Sequence, residues 1–202
     1  MDIPALENEL KKRWLYPYLW RQPQQNHLDE QTNFIYGTPS LEVVVAHLKK
    51  LPNQQKLFTY ALNRWYNFWS AKAIEFMFTQ HPSVIAHPNQ KHPSIDFYLK
   101  GIGFDHKSTV FPRAYKGTLT QAKQQPQTLI QWLYRSQSKE RRKHQRNRLF
   151  IVFYAQYQPH WQLKAELSWL QALIDQYLQG FTKSQLIQVA PQVWSDVIWA
   201  VR

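Results

Sequence analysis

The order of apolar and polar residues divides the chain into a helical first part and a second part that contains strands. Helical spacing covers residues 5–15 and 54–80, and Ser40 can cap a short helix that runs to about residue 51. Residues 21–40 are polar and contain two prolines and a glycine, which indicates an irregular segment. We therefore expect a mainly helical N-terminal extension over residues 1–53.

Short apolar runs with the character of β-strands begin near residue 83. Residues 94–100 alternate apolar and polar side chains, and residues 149–154 are continuously apolar, as in a central strand covered on both faces. The strand candidates are 83–86, 94–100, 104–111, 149–154 and 197–201. Helical segments are expected at 119–146, with a restart at Pro126, and at 163–180. This order predicts an α/β fold over residues 54–202, with a mixed β-sheet flanked by helices.

The composition is that of a folded, basic protein without disulfides. Hydrophobic residues make up 44% of the chain and aromatic residues 15%, which excludes an intrinsically disordered protein. The absence of cysteine excludes thiolate metal sites and a cysteine nucleophile. No signal-peptide pattern and no apolar run of roughly 20 residues is seen, so we expect a cytoplasmic protein that does not enter membranes.

Positive charge is concentrated in one part of the chain. The net charge is +12, which attracts polyanions, and residues 135–148 hold seven basic residues against one acidic residue. This stretch is either a solvated helix end and loop or a contact for a phosphate backbone. The candidate nucleic-acid contacts are Arg113, Lys116, Arg135, Lys139, Arg141, Arg142, Lys143, Arg146 and Arg148.

Two carboxylates and a lysine stand out in the otherwise apolar hairpin of residues 94–111. If Gly101 and Ile102 form a two-residue turn, Asp96 faces Lys107, and Asp105 shares the face of Lys107 because alternate residues of a strand point the same way. Close carboxylates repel each other unless a cation lies between them, and Mg²⁺ is a natural partner for oxygen ligands. A plain salt bridge between Asp96 and Lys107 is the structural alternative.

The sequence Pro93-Ser94-Ile95-Asp96, followed by Asp105-His106-Lys107, resembles the PD-(D/E)XK nuclease superfamily. The order of elements around it is similar as well, and the likeness covers roughly residues 60 to 155. The resemblance implies a restriction-endonuclease-like fold. It also implies metal ligation by Asp96, Asp105 and the backbone carbonyl of His106, with a catalytic Lys107. Ser94 and Ile95 separate the proline from the aspartate, a departure that the superfamily tolerates.

Further residues are matched to the superfamily by their position. Its members often carry a glutamate on the helix before the sheet, and Glu75 is the match here, although it could instead pair with Lys72 three residues earlier. Some members carry a glutamine and a tyrosine on the helix after the lysine. Gln131 and Tyr134 occupy that helix at a different spacing.

The resemblance predicts a Mg²⁺- or Mn²⁺-dependent endonuclease that hydrolyses DNA phosphodiester bonds, in restriction or in processing of a mobile element. A homodimer would supply two active sites for the two strands, and no small-molecule cofactor is expected. A non-catalytic nucleic-acid-binding module with the same fold is the alternative. A membrane-surface module is disfavoured because no basic amphipathic helix with exposed aromatic residues is evident. The irregular spacing of His81, His87 and His92 disfavours a zinc site.

Overall fold

The computed structural model describes residues 1–18, 26–51, 54–89, 92–136 and 146–202. Contacts within the chain divide it into two units. The first, here the N-terminal unit, consists of Met1–Ile74 with Lys164–Trp169, and the second, here the sheet unit, consists of Glu75–Leu163 with Leu170–Arg202.

Helices build the N-terminal unit. They are α1 (Ile3–Lys12), α2 (Asn26–Thr32), α3 (Leu41–Leu48) and the first part of α4 (Gln54–Gln80). Asp2 caps α1 by accepting a hydrogen bond from the N–H of Ala5 at 3.0 Å. The prediction of an irregular segment over residues 21–40 is wrong where α2 forms, since Leu28 and Thr32 lie one turn apart and are both buried.

Two cations are buried in the N-terminal unit. The guanidinium of Arg13 donates hydrogen bonds to the carbonyl oxygens of Tyr16 (2.7 Å) and Pro17 (2.9 Å) and to Oδ1 of Asn63 (2.7 Å). The ammonium of Lys164 donates to Oδ1 of Asn67 at 2.9 Å, and burial lowers the pKa of Lys164 to about 8. Both cations are therefore solvated by neutral groups of the protein rather than by water.

A six-stranded mixed sheet forms the centre of the sheet unit, with the strand order β1-β2-β3-β4-β6-β5. Strands β1 to β3 pair antiparallel, β4 pairs parallel with both β3 and β6, and β5 joins antiparallel at the edge. The strands are β1 (Val84–Ala86), β2 (Phe97–Leu99), β3 (Ile102–Val110), β4 (Arg148–Tyr154), β5 (Ile187–Ala190) and β6 (Val193–Val201). The prediction of an α/β fold with a mixed sheet is thus confirmed.

Helices cover both faces of this sheet. Helix α6 (Pro126–Ser136), which follows the short α5 (Leu119–Gln124), packs Leu129 and Leu133 against Phe150 of β4. On the other face, Phe78 of α4 stacks on Phe97 of β2 with ring centroids 4.6 Å apart. The remaining helix is α7 (Leu167–Gly180). The expected restart at Pro126 is confirmed.

The turn between β2 and β3 differs from the sequence prediction. Leu99 pairs with Ile102, so the turn residues are Lys100 (φ 47°) and Gly101 (φ 80°), as in a type I′ turn. The predicted pairing of Asp96 with Lys107 is therefore wrong. The register is shifted by two residues, which leaves every side chain on its expected face because strand side chains alternate with a period of two.

Strand β3 changes neighbours along its length. Its residues Ile102, Gly103 and Phe104 pair with β2, whereas Asp105–Val110 pair with β4. The change of partner falls at Asp105. On this strand Asp105 and Lys107 are the two predicted active-site residues with charged side chains.

Candidate active site

Asp105 and Lys107 lie on the same face of β3 and contact each other directly. Lys107 Nζ donates to Asp105 Oδ1 at 2.6 Å. Asp105 is only 6% exposed, whereas the Lys107 side chain is 45% exposed. A buried carboxylate is therefore neutralised by an ammonium that also reaches solvent, which is an arrangement able to receive a charged ligand.

Asp96 lies just before β2, and its carboxylate occupies the edge of β3. Oδ2 accepts hydrogen bonds from the backbone N–H of His106 at 2.7 Å and lies 2.8 Å from Nδ1 of the same residue. Burial pushes the pKa of Asp96 up, but the hydrogen bonds and charge of His106, together with the charge of Lys107, leave it below its ordinary value. Asp96 is thus an anion near neutral pH.

The alternative of a salt bridge between Asp96 and Lys107 does not hold among the described residues. Asp96 pairs with His106, and Lys107 pairs with Asp105. The ring of His106 lies on the face of the sheet that α4 covers, 6.2 Å from the ring of Phe78. His106 therefore packs in the core, as expected, and also anchors Asp96, which was not expected.

Arg148, the first residue of β4, approaches Asp105 from the neighbouring strand. Its Nε lies 3.6 Å from Asp105 Oδ2, is buried, and makes no hydrogen bond to any residue that the structure describes. The guanidinium lies 4.9 Å from the centroid of the Tyr134 ring on α6. Burial, supported by the charge of Asp105, raises the pKa of Tyr134 to about 12 against the opposing effects of Ser195 and Arg148, so the hydroxyl stays protonated.

Asn147 fastens the strands around this cluster, a role that the sequence reasoning missed. Its carbonyl accepts the N–H of Asp105 (3.0 Å), its side-chain amide donates to Gly103 O (3.1 Å), and its Oδ1 accepts the N–H of Trp194 (2.8 Å). One residue therefore ties β3 to β6 beside Asp105. The sequence signal was a polar residue two positions before the apolar run of residues 149–154.

The donors at this site suit a hard divalent cation held mainly by water. Asp96 and Asp105 supply carboxylate oxygens, and Asp96 Oδ1 makes no hydrogen bond within the described part of the chain. Among those residues, no group of three or more histidine, aspartate or glutamate side chains could hold a metal ion. Mg²⁺ is commonly held by one or two carboxylates plus waters, so the two aspartates are of the chemical type that it binds. The backbone carbonyl of His106 stays a predicted ligand. Glu75, half-buried on α4, stays a predicted ligand.

The predicted nucleic-acid contacts have several different environments. Arg113 and Lys116 are exposed in the segment after β3. Arg135 is exposed on α6, where its Nε donates to Gln131 O at 3.2 Å. Arg146 donates from its guanidinium to Pro93 O. Arg148 lies beside Asp105. The last four predicted contacts lie outside the described residues, namely Lys139, Arg141, Arg142 and Lys143.

No family model, no curated protein and no solved structure matches this chain. Among the described helices, none is long and apolar enough to cross a membrane.

Proposed function

We propose that this chain is a metal-dependent endonuclease that hydrolyses DNA phosphodiester bonds, with the restriction-endonuclease-like fold of the PD-(D/E)XK superfamily. The observation that carries the proposal is the Asp105–Lys107 pair on the central strand β3, with the Asp96 carboxylate at the neighbouring edge. The order of elements from α4 to β4, a helix, three strands, two helices and a strand, supports the same assignment.

Each polar group of the site has a chemical task in this reaction. A bound Mg²⁺ would supply an acidified water and offset negative charge on the phosphate. Asp96 and Asp105 would hold the cation through their carboxylate oxygens. Lys107, which reaches solvent, orients the attacking water or stabilises the charge that develops on the phosphate oxygens. It is well placed because its ammonium already sits beside a carboxylate that would ligate the metal.

Positive groups around the site are suited to hold the DNA backbone. Arg148, the first residue of β4, is next to Asp105. Arg146 lies two residues before Arg148 in the chain. Arg113 and Lys116 follow the end of β3 and are exposed. Together with the net charge of +12, they favour a phosphate-rich ligand over a neutral one.

The test is cleavage of supercoiled plasmid with Mg²⁺ or Mn²⁺ by the full chain and by Asp105→Asn and Lys107→Ala. Lys183→Ala removes an exposed lysine from elsewhere in the sheet unit and is the matched control. We expect the wild type and the control to nick or linearise the plasmid, and the two site variants to leave it intact. Equal cleavage by all four proteins would refute the assigned site.

A non-catalytic DNA-binding module is the second candidate, and one observation favours it. Lys107 and Arg148 together flank both oxygens of Asp105, so the carboxylate is already neutralised by the protein. Isothermal titration with Mn²⁺ separates the two functions. Binding that disappears in Asp105→Asn supports the nuclease, whereas DNA binding without cation binding or cleavage supports the module.

A further inference from the structure

Three aromatic side chains are stacked beside the candidate active site. The ring of His87 lies between those of His92 and Tyr98, with centroid distances of 4.2 Å and 5.7 Å and interplanar angles of 30° and 22°. All three residues are partly exposed. We call this group the aromatic stack. Its three side chains are thus only partly buried, unlike the aromatic side chains of the core.

Hydrogen bonds hold the rings of the aromatic stack in place. His92 Nδ1 accepts the backbone N–H groups of Ser94 (3.3 Å) and Ile95 (3.0 Å). The backbone N–H of His87 donates to the carbonyl of Asp96 at 3.1 Å. The stack is thus preorganised by the same loop that positions Asp96, so a ligand would not have to order it.

The aromatic stack belongs to the face of the sheet that carries Asp105 and Lys107. Tyr98 pairs with Gly103, and Gly103 and Asp105 are alternate residues of β3, so all three positions point to one side. A Cβ at Gly103 would lie 2.9 Å from Ile95 Cδ1 and 3.2 Å from Tyr98 Cε1, so the glycine leaves room for both side chains. On the same side Ile85, the partner of Tyr98 on β1, is 69% exposed. The face is therefore open to solvent at Ile85, next to the tyrosine.

A cation lies next to the aromatic stack. The guanidinium of Arg146 donates to the carbonyl of Pro93, the residue that follows His92. Flat aromatic rings with a cation beside them are the elements by which proteins bind single-stranded nucleic acid, since bases stack on the rings and phosphates meet the cations.

We propose that the aromatic stack of His87, His92 and Tyr98 binds an unpaired nucleobase, so that the substrate is DNA with a single-stranded segment. The inference rests on the proposed nuclease function and names its substrate class. An unpaired base is required because the faces of paired bases in a duplex are covered by their neighbours, and only an unstacked base offers a free face to a ring.

Two substitutions of His92 separate stacking from support of the loop. His92→Asn keeps an acceptor for the N–H groups of Ser94 and Ile95 but removes the ring, whereas His92→Phe keeps a ring and removes the acceptor. Tyr157→Ala, which removes a tyrosine that is 90% exposed elsewhere in the sheet unit, is the control. Binding is measured by fluorescence anisotropy in EDTA, with one labelled DNA oligonucleotide used alone and as a blunt duplex.

We expect His92→Asn to bind the single strand about tenfold more weakly than wild type, with duplex binding unchanged, and His92→Phe and Tyr157→Ala to bind both as wild type does. The proposal is overturned if His92→Phe weakens binding while His92→Asn does not, or if both DNA forms are affected equally. Plasmid cleavage keeps the two claims apart. Cleavage without this binding pattern refutes only the base site, and the pattern without any cleavage refutes only the catalytic assignment.

Discussion

Lys107 in the sheet unit and Lys164 in the N-terminal unit show two ways in which a folded chain keeps an ammonium group. Lys107 is half-exposed and bonds to the buried carboxylate of Asp105. Lys164 is 8% exposed and, within the described residues, bonds only to the neutral amide of Asn67. The first arrangement leaves a charge available to a ligand. In the second, burial of the charged ammonium lowers the pKa of the lysine and reduces the stability of the folded chain.

The largest expected effect of a substitution is the loss of DNA cleavage on replacement of Lys107. Lys107→Met should reduce DNA cleavage by about 10² to 10⁴, because it removes a group that acts in the reaction. It should lower the free energy of unfolding by only about 1 kcal/mol, because Arg148 still lies beside the buried carboxylate of Asp105. Plasmid cleavage and urea unfolding measure the two effects. A loss of stability as large as the loss of activity would mean that Lys107 is structural.

The second effect is on stability and depends on pH. The pKa of Lys164 is about 8 in the folded chain against an ordinary 10.5, so the unfolded chain binds more protons between these values. The cost of burying this group is complete below pH 8 and disappears as the pH rises to about 10.5. Wild type should therefore gain on the order of 3 kcal/mol relative to Lys164→Met over that range. Parallel pH dependences of urea unfolding for the two proteins would exclude this account.

A smaller effect on stability is expected at Asn147. Its side chain bonds to backbone groups in the sheet unit, whereas the side chain of Asn67 bonds to a cation in the N-terminal unit. Asn147→Ala removes bonds to Gly103 and Trp194 and should lower the free energy of unfolding by about 2 kcal/mol. Cleavage should fall too, because the side-chain bonds fix the backbone of Asn147, whose carbonyl accepts the N–H of Asp105. Gln127→Ala, on the exposed face of α6, is the control. Unchanged stability in Asn147→Ala would show that the strands are held without it.

The smallest effect is expected for Tyr134→Phe. The ring that lies against Arg148 remains, and only the hydroxyl that donates to the carbonyl of Arg146 is lost. The free energy of unfolding should fall by about 1 kcal/mol, with cleavage reduced less than tenfold. A stronger loss of cleavage would assign the hydroxyl itself to the reaction, in contrast to a supporting role for the ring.

The sequence predicted those features that follow from periodicity. The apolar run of β4 and the shared face of Asp105 and Lys107 depend only on the alternation of side chains, which a register shift of two residues does not disturb. The turn at Lys100 was missed because its positive φ is not signalled by a lysine. Strand β5 and helix α2 were missed because each contains too few apolar residues for their periodicity to be recognised in the sequence.

The contacts between distant residues could not be predicted. Asp96 bonds to His106 because β2 begins only at Phe97, which pairs with Phe104. The N–H of His106 therefore has no partner in β2. Arg148 reaches Asp105 only because β4 pairs in parallel with β3. Neither fact is visible in the spacing of residues along the chain, since both depend on which strands become neighbours.

The change of neighbours in β3 at Asp105 also bears on how the chain avoids self-association. A strand edge with unpaired N–H groups is a template for pairing with another molecule, and charged residues placed at the edge prevent it. The carboxylate of Asp96 occupies the first such N–H, that of His106, and brings a negative charge to the edge. The charge of Asp96 thus disfavours pairing of this edge with a second chain, and we expect replacement of Asp96 by an apolar residue to favour association of chains through β3.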